Sequence, residues 1–161
     1  MNVQVFLEWF HRLDAFLVGI ALLIQFFIGI VNRANLPKWL PWVYGLMLFL
    51  ILIQGMLGAL TVFQLLSSFF VTAHLILALT LLSIMSGTTQ ALLRPDGLSP
   101  PMWWKPLCGF SLLAVITQSL VGGLMASSWS GQRCLSFGEA CQLFDLHRIA
   151  AVPPSFLILT I

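Results

Sequence analysis

The sequence predicts an all-α protein, a polytopic bundle of transmembrane helices, and three observations carry that expectation. Of 161 residues, 60% are hydrophobic and only 7% are charged, against about 25% charged in soluble domains. A chain so short of charge turns most of its surface to lipid. Five apolar runs reach or approach the roughly 20 residues that cross a bilayer as a helix. Polar breaks rich in proline, glycine or serine separate them.

Taken in order, the first run extends from Val5 to about Val31, with its lipid-buried part beginning near Leu13. Asn32-Arg33-Ala34-Asn35-Leu36-Pro37-Lys38 ends it. The second, Pro41 to Phe63, carries no charge, and a turn at Leu66-Ser67-Ser68 leads into the third, Phe69 to Leu93. Arg94-Pro95-Asp96-Gly97 and Pro100-Pro101 mark the next loop. The fourth run covers Pro106 to Ala126. A polar loop from Ser127 to Asp145 holds Cys134 and Cys141. The fifth run begins near Leu143 and stops at Ile161, and Pro153-Pro154 should kink it.

Charge says little beyond placement. A net charge of +2 with no basic run gives no reason to expect nucleic-acid binding. Three cysteines are too few for a disulfide scaffold. Met1 to Asp14 lacks a basic start before an apolar core and has no small-residue cleavage site, so no cleavable signal is expected. Lysine and arginine in short loops set orientation. Arg33 with Lys38, and Arg94 with Lys105, put two alternate loops in the cytoplasm. The Leu66-Ser67-Ser68 turn and the Ser127–Asp145 loop, which has only Arg133, are then external. His11, His74 and His147 each follow an external segment by one or two helical turns. All three imidazoles are therefore expected at similar depth, near the outer face.

The chain also repeats itself. Gln54-Gly55-Met56-Leu57-Gly58-Ala59-Leu60 is echoed by Gln118-Ser119-Leu120-Val121-Gly122-Gly123-Leu124, and His11-Arg12 by His147-Arg148. Gln-Gly helices thus alternate with histidine helices. By that rhythm a Gln-Gly helix should precede Glu8, and a further Gln-Gly and histidine helix should follow Ile161. The expectation is an internal fragment with five spans of an eight-helix protein made of two related four-helix halves.

The titratable residues carry the chemistry. Glu8 lies three residues before His11 and four before Arg12, so on a helix the three share one face. Ionisable groups at the edge of lipid usually mark function. Haem iron is held by imidazoles on facing helices, and three histidines in repeated contexts at one depth favour that reading. A lone membrane histidine is more often a packing residue or part of a proton relay. Glu8 is either a proton acceptor beside a substrate or an interfacial carboxylate paired with Arg12. Arg12 and Arg148 either grip propionates or snorkel to the interface. Cys134 and Cys141, seven apart, are close enough to bridge as a structural disulfide; a redox relay is the alternative. The glycines read as helix-packing positions, Cys108 as inert, and Trp39, Trp42, Trp103 and Trp104 as an interfacial aromatic belt.

Together, Glu8-Trp9-Phe10-His11-Arg12-Leu13, Gln54-Gly55-Met56-Leu57-Gly58-Ala59-Leu60-Thr61-Val62, Thr72-Ala73-His74-Leu75 and the Cys134/Cys141 loop before His147 resemble haem A synthase. The resemblance covers nearly the whole chain. It implies oxidation of the C8 methyl of haem O to a formyl group, for terminal oxidase assembly. It makes Glu8 the catalytic acid, His11 and His74 the ligands of substrate haem O, and His147 a ligand of a haem b cofactor. Residues 1–93 would supply three helices of the substrate half, 94–105 a cytoplasmic loop, and 106–161 the start of the haem b half. Cys134 and Cys141 would be the cysteine pair of that second half. The family setting implies a prokaryotic inner membrane, with histidines and cysteines toward the external face. A haem O synthase would supply the substrate. The electron acceptor is unidentified and a homo-oligomer is open. A b-type cytochrome subunit that only carries electrons is the competing function, as is a transporter with histidine proton relays.

Overall fold

The computed structural model describes residues 2–63, 67–93, 101–128, 130–138 and 141–159. Among these, all regular structure is helical. The helices are α1 (Val3–Val31), α2 (Leu40–Phe63), α3 (Ser68–Leu93), α4 (Trp104–Ser127), α5 (Ser130–Phe137), α6 (Cys141–Ala150) and α7 (Val152–Leu159). Four segments are long and apolar enough to cross a membrane: Val5–Val31, Leu40–Phe63, Ser68–Leu93 and Trp104–Ser127. The first four expected runs therefore stand within a few residues of their predicted bounds. The loop expected over Arg94 to Pro100 lies outside the described residues.

The fifth run breaks beside Pro153-Pro154, the pair expected to kink it. It is divided between α6 and α7, with a turn at Ala151. Pro153 and Pro154 explain the break: neither has an N–H for the carbonyl four residues back, and each ring crowds that carbonyl. The polar segment from Ser127 to Asp145, expected as loop, is largely helical, with α5 and the first turn of α6 inside it. Gly138 closes α5 in the left-handed region at φ 69°. Its N–H donates to the Cys134 carbonyl at 3.0 Å, the glycine-capped ending that spares a Cβ clash.

Helix ends follow the sequence elsewhere. Asn32 donates from both its backbone N–H and its side-chain amide to the Ile28 carbonyl, at 3.0 and 3.1 Å, as α1 stops. Pro41 and Pro106 sit in the first turns of α2 and α4, where a missing N–H breaks no bond. Inside the spans, hydroxyls turn back onto the helix. Thr88 donates to the Ile84 carbonyl, Ser111 to Leu107 and Ser119 to Val115, at 2.6, 2.9 and 2.7 Å. In hydrocarbon no water would satisfy them.

The described chain divides into two compact units. One comprises Met1–Met56 with Thr80–Leu92. Its core is small: Leu22 on α1, Met47 on α2 and Leu81 on α3 pack together, ringed by Val18, Tyr44 and Ile84. Gly29 lets the Tyr44 ring onto the α1 backbone, since a Cβ there would lie 2.7 Å from Tyr44 Cδ2. Phe26 meets Gly45 in the same way from the opposite helix. The outward faces are apolar and bare, with Leu52 65% and Phe49 60% exposed. Exposed large apolar side chains at this density are a lipid-facing surface.

The second unit comprises Leu57–Leu79 with Leu93–Ile161. Here α4 packs against α5, α6 and α7. The first half of α3 meets the end of α4 through small residues. A Cβ on Gly123 would lie 2.7 Å from Thr72 Oγ1, and Ser127 donates to Ser68 Oγ at 2.8 Å. Close approach of backbones through small and hydroxylated residues is the usual helix contact in lipid.

Candidate functional site: histidines seated on glycines

In the second unit two histidines are held in the same way. His74, the seventh residue of α3 counted from Ser68, sits against Gly58 of α2. A Cβ on Gly58 would lie 3.2 Å from His74 Cε1, 3.7 Å from Nδ1 and 4.0 Å from Nε2. His147, the seventh residue of α6 counted from Cys141, sits against Gly122 of α4. The matching distances there are 2.9, 3.6 and 3.7 Å. In both seats the same ring edge, Cε1 with a nitrogen on each side, rests where a side chain would otherwise stand. Both imidazoles are half-buried. The glycines therefore do more than let helices touch: two of them make room for an imidazole.

In the second seat a glutamine also holds the histidine. Gln118, one turn before Gly122 on α4, donates from Nε2 to the His147 backbone carbonyl at 2.8 Å. The same nitrogen lies 3.0 Å from His147 Nδ1. The last four carbonyls of a helix lack partners within it. Gln118 thus satisfies one such carbonyl and grips the ring of the same residue. Gln118 Oε1 is buried and has no hydrogen-bond partner among the described residues. In the sequence the glutamines read only as positions of close helix approach. The repeated step from Gln54 to Gly58 and from Gln118 to Gly122 was the available signal.

The Glu8 cluster belongs to the first unit. Arg12 Nη2 donates to Glu8 Oε1 at 2.6 Å, the ion pair expected from their spacing. Both side chains are well exposed, at 65% and 60%, so in water the pair would add little to stability. His11 is exposed beside them on α1. Arg148 is exposed too, with its guanidinium carbon 5.6 Å from the centroid of the Phe144 ring, a cation–π contact one turn apart on α6. Cys134 and Cys141 come to bonding distance, their Cα atoms 4.7 Å apart, and tie the last turn of α5 to the start of α6. Cys108 is exposed on α4. Among the described residues no three His, Cys, Asp or Glu side chains converge as a metal site.

Four apolar helices long enough to cross a membrane define a multi-pass membrane protein, and its second unit seats two imidazoles on glycines. The chain matches the COX15-CtaA family, cytochrome oxidase assembly protein, over residues 1–153, and it belongs to that family. No curated protein and no solved structure matches it. The family is the one to which the Glu8–Leu13, Gln54–Val62 and Thr72–Leu75 motifs pointed. Its members' role in cytochrome oxidase assembly is the function the match carries to this chain.

Proposed function

We propose that the chain is a haem A synthase-type oxidoreductase, which converts the C8 methyl of haem O to a formyl group. Family membership supplies the setting, and the paired seats of His74 on Gly58 and His147 on Gly122 are the observation that supports the chemistry. The residues suit haem. Imidazole is a donor that haem iron accepts, and a ring lodged against bare backbone would be held in a fixed direction for it. The sequence motifs would make His11 and His74 ligands of substrate haem O, and His147 a ligand of a haem b cofactor. When bound, haem b supplies the electron chemistry that no side chain of this protein offers.

The chain's own groups bind, orient and move protons. Overall, a methyl group and one water become a formyl group, with four protons and four electrons removed. The electrons leave to a membrane acceptor, and the protons need a base. Glu8, the catalytic acid of the resemblance, would take up protons in its carboxylate form, with Arg12 paired to one oxygen. Arg12 and Arg148 also suit propionates, since guanidinium binds carboxylate through two parallel hydrogen bonds. The Lys and Arg content of the loops supports placing the histidine and cysteine ends at the external face of a prokaryotic inner membrane. A haem O synthase would deliver the substrate there.

Expression of the complete reading frame that encodes this chain, in cells that make haem O but not haem A, tests the assignment. Haem A should accumulate in extracted pigments; haem O alone contradicts it.

The external placement also makes Cys134–Cys141 a structural disulfide. Of the three cysteines, only Cys108 should react with a thiol reagent in the denatured, unreduced protein. All three should react after reduction. Three reactive thiols before reduction would remove the brace.

A further inference from the structure

We propose that Gln118 is a positioning residue that locks the tautomer of His147, so that coordination through His147 requires the Gln118 amide to turn over. The inference rests on His147 being the haem ligand proposed above. Its starting point is a single amide nitrogen with two contacts to one residue. A backbone carbonyl only accepts, so the Gln118 atom 2.8 Å from the His147 carbonyl is the donor nitrogen. An oxygen there would face an oxygen. That NH2 group has a second hydrogen, and His147 Nδ1 lies 3.0 Å away. Nδ1 therefore accepts, with its lone pair toward Gln118.

The ring's proton is then on Nε2. A protonated Nε2 has no lone pair for iron, and Nδ1 is already engaged. For His147 to bind iron through Nε2, its proton must move to Nδ1, and Gln118 must offer an acceptor there. The acceptor is at hand: Gln118 Oε1 is buried and makes no hydrogen bond among the described residues, an omission that calls for a reason. Turning the amide over serves Nδ1–H with Oε1. It also breaks the bond to the His147 carbonyl and sets oxygen against oxygen. Gln118 thus holds His147 in a donor form and makes ligation a two-state event.

Two measurements test this. In the full chain labelled with 15N-histidine and held in detergent without haem, the resonances of His147, assigned by comparison with His147→Ala, should report a bare Nδ1 and a protonated Nε2. Protonation on Nδ1 overturns the proposal. Titration with haem b then compares Gln118→Glu and Gln118→Leu with the native protein. Glutamate only accepts, so Gln118→Glu should bind haem about tenfold more tightly, the weight of one hydrogen bond. Its reduction potential should fall as the imidazole gains donor strength. Gln118→Leu, without lock or acceptor, should lose the tautomer preference in the nitrogen spectrum. If Gln118→Glu binds no tighter than the native chain, the lock is wrong. Failure of the native chain to bind haem would sink the enzyme assignment instead, and the nitrogen spectrum would still decide the lock.

Discussion

Replacing Glu8 with alanine leaves haem O and its hydroxylated intermediates in extracted pigments, with haem A lowered by about 100-fold or more, the usual worth of a positioned acid–base group. Haem binding should survive, because Glu8 is well exposed near the start of α1 and its partner Arg12 is equally exposed. Retained pigment with lost oxidation separates a proton-handling role from a folding defect. Glu8→Gln should behave as Glu8→Ala, since it keeps the shape and loses the base. The substitution also divides the enzyme from a b-type cytochrome that only passes electrons, which has no use for this carboxylate. Unchanged haem A in Glu8→Ala would remove Glu8 from the mechanism and favour that carrier.

Gly122→Ala should weaken haem binding by about tenfold to a hundredfold, the range seen when the support of a metal ligand is disturbed. The new methyl would stand 2.9 Å from His147 Cε1, nearer than such carbons approach, so the ring must move. Helix propensity favours alanine over glycine by about 1 kcal/mol, which offsets part of the strain and should keep the protein folded. Gly58→Ala should act in the same direction with a smaller effect, because its gap to His74 is 3.2 Å. Gly109→Ala is the control: nothing lies within 4 Å of a Cβ there. Equal haem affinity in Gly122→Ala and Gly109→Ala would show that the seat does not aim the ligand.

How much of this could be read from the residues depended on how local each cause was. Partition into lipid is set residue by residue, so the apolar runs foretold α1 to α4 closely. The Glu8–Arg12 pair was equally legible, because a four-residue spacing on a helix dictates contact. The fifth run shows local chemistry overruling hydropathy: Pro153 and Pro154, legible in the sequence as a kink, stand where α6 gives way to α7. The helix α5 is not legible from composition, because a short amphipathic segment between spans resembles a loop. Its signal was Gly138, a helix-ending residue one position past Phe137.

Contacts between helices were the least legible. Gly58, Gly122 and Gly123 looked alike as small residues at a helix surface, yet two of them meet imidazoles and the third meets Thr72. Which partner each meets depends on rotation and register between spans, information no single run contains. Gln118 illustrates the limit, for its partner is 29 residues away on another helix. The repeat of glutamine and glycine with the same step marked the position without revealing what it touches.

Histidine ligation of haem is measured directly by titration of the purified full chain with haem b. The native chain should give the absorbance of iron bound through histidine. His147→Ala should lose the haem b signal, and His74→Ala should lose binding of haem O, both in folded protein. A native chain that binds no haem, or a His74→Ala/His147→Ala double variant whose spectrum is unchanged, would contradict the assignment.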